Sequence, residues 1–230
     1  MSEFLRDSAF FGVFISLLFY FIGLRLKKRF GFALLNPLLV SVVLTIAALL
    51  ALDVDYQSYN AGGRYLSYLL TPVTVRLAIP LYEQLSLLRK NWKAILTGIF
   101  AGSMAGMGCI FLLALAFGLD HAQYVTLLPK SVTTAIGLAV SEELGGYPAI
   151  TAVVIVTTGL MGNIFAEGFL RLIRVREPIA KGVAIGTSAH AIGTSKAMEI
   201  GEVEGAMSSL SIAVAGLFTV AGASVFAMFI

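Results

Sequence analysis

"LLPKSVTTAIGLAV", residues 127–140, sets a lysine directly after a proline and follows it with three hydroxyls, in a chain otherwise dominated by apolar residues. Pro129 withholds a backbone donor and disfavours helix at Leu128, so the chain is expected to turn or break there, with a helix starting near Lys130. A lysine at the centre of a membrane helix costs roughly 2.5–3.5 kcal/mol on insertion scales, so Lys130 should face protein or water. Free N–H groups at a helix start, the ammonium, and the hydroxyls of Ser131, Thr133 and Thr134 would together form a pocket for a small anion. Alternatively, Lys130 snorkels to the interface and the hydroxyls cap the helix; the depth of the lysine separates the two.

The surrounding composition makes this a membrane chain. Hydrophobic residues make up 58% and charged residues 13% of the 230 positions, against about 25% charged in soluble domains; mean hydropathy is +0.91. Runs free of Asp, Glu, Lys and Arg extend over 8–24, 31–52, 94–119, 144–166 and 205–230. Each approaches or exceeds the ~20 residues a helix needs to cross the hydrocarbon core, so five spanning helices are expected. Three shorter apolar segments carry polar residues at their middles: 65–82 around Arg76, 122–141 around Lys130 and 182–195 around His190. The fold expected is an all-α polytopic membrane protein of about 7–8 membrane elements, a single domain over 1–230, with no room for a separate catalytic or nucleic-acid-binding module. The single cysteine, Cys109, supports neither an internal disulfide nor a cysteine-based zinc site, and no metal or cofactor is expected. The basic cluster after the first apolar run, 25–29, argues against a cleaved signal peptide.

Lys and Arg mark cytoplasmic loops. Threading the chain through the clusters 25–29, 89–93 and 171–181 puts Asp53, Asp55, Asp120 and His121 outside, Glu199, Glu202 and Glu204 outside, and the C-terminus inside. The segment 120–143 then has both ends outside and should be re-entrant. "NPLLVSVVL" (36–44) also lies over "YPAITAVVI" (147–155), pairing Pro37 with Pro148, and the same offset carries 94–119 onto 205–230. The reading is an inverted repeat, 31–119 and 144–230, with broken helices meeting near the midplane. Gly98, Gly102 and Gly106 form a small-residue face for helix packing, echoed by Gly205, Ser209 and Ala213.

Several polar residues remain as site candidates. Arg76 lies between Pro72 and Pro80, which makes an uninterrupted helix improbable; it is either a second anion contact or a partner for Glu83 or Glu167. His190, bracketed by two Gly-Thr-Ser triplets with Thr187 and Ser188, is either a proton carrier or a hydrogen-bonded packing residue. Glu167 is read as an interfacial residue or a proton site, and Asn36 as a further substrate contact. Ser188 and His190 diverge by about 200° on a helix, so they form no nucleophile and base pair, and no enzyme is expected.

"NPLLV" (36–40), "LAIPLYEQ" (77–84), "LPKSVTTAI" (128–136), "GYPAITAV" (146–153) and "GTSAHAIGTSKAMEIGEVEGAMSSL" (186–210) resemble the LrgB/CidB family, YohK-like proteins included, over nearly the whole chain. The resemblance implies a multi-pass protein of the inner (cytoplasmic) membrane that works with a small LrgA/CidA-type membrane protein as an antiholin-like regulator of murein hydrolase export and autolysis. The plant plastid glycolate/glycerate translocator is similar to this family in its C-terminal part, which implies carriage of glycolate, glycerate, pyruvate or lactate. The function expected is therefore a small-monocarboxylate transporter, with His190 and Glu167 as candidates for proton coupling, that assembles as a homo-oligomer, a dimer first; the alternative is the antiholin-like regulator.

Overall fold

The computed structural model describes residues 10–32 and 35–230. Among the described residues the regular structure is helical, with no strand. The chain divides into two compact units, up to Arg76 and from Leu77 onward, each described by itself.

In the first unit α1 (Phe11–Phe30) packs on α2 (Pro37–Ala51) and α3 (Tyr56–Ser67). The sequence dictates each boundary. Gly31 takes φ 67° and closes α1 on Lys27 O, while Lys27, Lys28 and Arg29 in the last turn complement the helix dipole. Asn36 caps α2, its side chain accepting from Leu38 N and Leu39 N, and Pro37 fills the first helical position, where its missing N–H is harmless. Gly12 and Gly23 let α1 approach the backbones of Tyr59 and Pro37. Phe11, Ile15 and Val54 form the small core.

Helix α4 (Leu70–Glu83) contains the boundary between the units and runs unbroken through Arg76. The break expected from its prolines does not form. Pro72 lies in the first turn, where no donor is needed, and Pro80 leaves only the Arg76 carbonyl without its helical partner.

The second unit contains α5 (Leu85–Phe117), α6 (His121–Leu127), α7 (Thr134–Glu143), α8 (Pro148–Leu172), α9 (Pro178–Ile200) and α10 (Glu202–Phe226), which ends in a 3-10 turn, Ala227–Phe229. Helices α5, α8 and α10 are long and apolar enough to cross a membrane. That is three of the five spans expected. The fifteen residues of α2 reach only about 22 Å, and α1 carries its basic cluster inside the helix.

Two elements of this unit fold back on themselves. Helices α6 and α7 flank a non-helical turn at 128–133, and the His121 ring contacts both Leu144 O (3.2 Å) and Ile230 O (2.6 Å), so the pair begins and ends at one end of the bundle. Helix α9 is interrupted at His190, whose φ 42° and ψ −142° are non-helical. Gly193 packs against Ala189 and Ile185 of the first half, and Gly205, at the start of α10, against Met198 of the second. The two halves of α9 are therefore antiparallel. Its hairpin enters from the end opposite to the α6–α7 hairpin.

This geometry corrects the expected threading. The segment 182–195 does not cross, and Glu199–Glu204 lie at the same end as Arg171–Lys181, where Lys181 Nζ stands 3.7 Å from Glu204 Oε1. The C-terminus finishes at the other end, beside His121. Every Lys and Arg after Leu77 except Lys130 gathers at the first end. Phe100 meets Phe218 and Phe111 meets Phe229, so α5 and α10 run the same way. The inverted relation expected between 94–119 and 205–230 does not hold. Each of 121–172 and 178–226 is a hairpin followed by a long helix.

Candidate functional site

The site begins with the two interruptions. In the first, Lys130 N donates to Leu127 O and Val132 N to Pro129 O, so the turn satisfies itself, and Leu128, Pro129 and Val132 are buried as its anchor. The helix starts at Thr134, later than expected, which leaves Lys130 within the turn and Thr133 at the cap position without a side-chain cap bond. Lys130 Nζ donates to Ser131 Oγ at 2.9 Å. In the second interruption His190 is 3% exposed, and its Nε2 lies 3.0 Å from Ile155 O. A carbonyl only accepts, so Nε2 carries the hydrogen of that bond. Thr194 Oγ1 donates to His190 O, and Thr194 and Ser208 share a buried hydroxyl contact of 2.7 Å, which ties the returning half of α9 to α10.

Both interruptions lie at mid-depth. His190 packs on Ile155 and Gly159, well inside α8, while Lys130 shares a cavity with Gly102, Gly106 and Met107 from the middle of α5. Lys130 does not reach toward a helix end.

That cavity has a volume of about 650 Å³, within the range of small-molecule pockets. Its wall follows α5 from Asn91 through Gly98 and Gly102 to Gly106, about 22 Å of rise. Asn91 and Glu177 stand at the basic end and Lys130, Ser131, Thr187 and Ser188 at the inner end, with Lys130 and Glu177 the charged residues that line it. The glycines of α5 have two roles here. Gly98 and Gly102 admit Val183 and Thr187 of α9, whereas a Cβ on Gly106 would meet nothing within 4 Å.

Four candidates thus converge on one cavity: Lys130, Ser131, Thr187 and Ser188. Thr133 and Thr134 are half-buried at the start of α7 and do not line it, and neither does His190, whose ring is turned to Ile155. Glu167 accepts from Lys196 at 2.8 Å and Arg171 at 3.0 Å near the basic end, an ion-pair network that fixes α9 to α8. In the first unit, Asn36 is a helix cap and Arg76 is exposed on α4.

Ser103 and Thr219 also line the cavity, and no motif pointed to them. Ser103 Oγ and Thr187 Oγ1 are buried without a hydrogen-bond partner among the described residues. An unmet buried hydroxyl costs about 1–3 kcal/mol, which a polar guest would offset. The signal for Ser103 was its place inside the glycine repeat. It is the one hydroxyl on that face of α5.

The family model described as LrgB-like family matches residues 16–229. Proteins named "Antiholin-like protein LrgB" from Bacillus cereus (strain B4264) and Bacillus anthracis (strain A0248) are each 42% identical over 222 residues, covering 96% of this chain and 96% of theirs. No solved structure matches the chain significantly. The match spans both units and both interrupted hairpins, and the chain belongs to the LrgB-like family.

Proposed function

We propose that this membrane protein has the antiholin-like role for which its relatives are named, restraining murein hydrolase export and autolysis together with an LrgA/CidA-type membrane partner. The observation that carries this reading is the 42% identity to antiholin-like LrgB proteins along 96% of both chains. In this reading the protein resides in the inner membrane as a homo-oligomer, a dimer first, and presents the apolar outer faces of α5, α8 and α10 to lipid and to its partner. The hairpins α6–α7 and α9 are re-entrant, entering the bilayer from opposite sides, so the protein has about 7–8 membrane elements with an inverted relation between its hairpin-and-helix halves.

A second reading is favoured by one specific observation, the cavity that leads from the cytoplasmic end to Lys130. We infer that it binds a small monocarboxylate such as glycolate, glycerate, pyruvate or lactate. The Lys130 ammonium and the hydroxyls of Ser131, Thr187 and Ser188 take the place of the water shell of the carboxylate. With the cavity open toward the cytoplasm, movement of the hairpins would open the opposite side, which is alternating access. His190 and Glu167 are the proton-coupling candidates of this reading, and Arg76, Asn36, Thr133 and Thr134 its outlying candidates.

One experiment separates the two. Cells lacking the protein are complemented with wild type or Lys130→Ala, autolysis is recorded, and [14C]glycolate or pyruvate uptake is measured in proteoliposomes. Regulation without carriage predicts that Lys130→Ala restores normal autolysis and that wild type shows no flux. Carriage predicts flux in wild type, at least tenfold lower in Lys130→Ala. Failure of wild type to complement would remove the antiholin-like role.

A further inference from the structure

A second cavity, of about 310 Å³, lies where α8 ends and α9 begins, apart from the one that holds Lys130. Arg171, Arg174, Arg176 and Lys181 line it against a single carboxylate, Glu167. Arg171 is engaged by Glu167 at 3.0 Å and Lys181 by Glu204 at 3.7 Å. Arg174 and Arg176 make no ion pair among the described residues, and both are exposed. Their planar forks match the oxygens of a phosphate.

The backbone gives a second reason to look at Arg174. Val175 N donates to Leu170 O at 2.9 Å, a helix-closing turn that puts Arg174 at φ 61°. That left-handed position is normally given to glycine, which meets no steric penalty there. An arginine in this place is unfavourable for the turn, so the turn alone does not account for it.

The surroundings select the kind of phosphate. Phe169, Leu172 and Ile173 are 58%, 77% and 51% exposed at the end of α8, within five residues of Arg174 along the chain. A basic pocket at the end of an apolar helix whose last turns expose large apolar side chains lies at the depth of lipid headgroups. We propose that this pocket binds the phosphodiester headgroup of an anionic phospholipid, with Arg174 and Arg176 on the phosphate.

The test uses the purified full chain in nanodiscs of phosphatidylglycerol or phosphatidylcholine, with thermal unfolding and native mass spectrometry as readouts. Wild type is expected to unfold at a higher temperature in phosphatidylglycerol and to retain bound lipid after extraction. R174G/R176Q is expected to lose most of that difference and to bind roughly tenfold less phosphatidylglycerol, or weaker still. Because glycine suits the turn at 174, its unfolding in phosphatidylcholine should match wild type. The charge-matched variant K28Q/R29Q should keep the difference. The proposal is overturned if wild type unfolds alike in both lipids, if R174G/R176Q keeps the full difference, or if K28Q/R29Q loses as much. It is also overturned if inorganic phosphate added to phosphatidylcholine discs reproduces the effect, since the site would then take a soluble anion.

Discussion

Lys181 Nζ stands 3.7 Å from Glu204 Oε1, joining the first turn of α9 to the first turn of α10. Two helix starts that meet in this way require the chain between them to have gone in and come back. The strained backbone of His190 is where it turns. The pair is largely buried, with Glu204 7% exposed, so the cost of desolvating the two charges offsets much of their attraction. Its meaning is topological.

In a Cys109→Ala background, Glu202→Cys and Arg174→Cys should react with a membrane-impermeant thiol reagent from one side of the membrane, and Met228→Cys, at an 81% exposed position, from the other. Labelling of Arg174→Cys and Glu202→Cys from opposite sides would contradict the reversal at His190.

His190 is expected to tolerate glycine better than valine. His190→Gly relieves a positive φ but loses the contact with Ile155 O, effects of about 1 kcal/mol each that nearly cancel. His190→Val keeps the strain and loses the bond, and should destabilise by about 2–3 kcal/mol. Denaturant unfolding in a single detergent measures both, and equal stability of the two variants would exclude strain at this position.

The glycines of the second unit should separate into two groups. A Cβ on Gly186 would fall against the backbone of Ser208, so Gly186→Ala should destabilise by about 1–3 kcal/mol. Gly106→Ala meets open space and should stay within about 0.5 kcal/mol of wild type. Thermal unfolding distinguishes them, and a similar loss for both would remove the close approach of α9 to α10 as the cause.

Thr187→Val and Ser103→Ala each remove a buried hydroxyl that has no partner among the described residues. Both should raise the stability of ligand-free protein, by about 1 kcal/mol. Calorimetric titration with short carboxylates should show weaker binding for both if the cavity serves carriage. A loss of stability on Thr187→Val would mean that its hydroxyl is already satisfied.

Composition alone determined that the chain is helical and lies in a membrane, because 13% charged residues leave no other solvent for so much apolar surface. Pro129 before Lys130 marked one interruption, since a missing donor beside a charge is local chemistry that any fold must accommodate. The break at His190 lay inside a segment already marked by its glycines and histidine, yet the direction the chain took afterwards was invisible. A hairpin and a crossing can have the same composition, and only the contacts of Gly193 with Ala189 and of Lys181 with Glu204 distinguish them. For the same reason the charges of 199–204 misled the threading: acidic residues carry little orientation information, and these pair with the basic end. The convergence of Lys130 with Thr187 and Ser188, and the exclusion of Thr133, Thr134 and His190 from their cavity, depend on helix rotation and depth. Those are set by packing between elements far apart in the chain, which no single stretch of sequence contains.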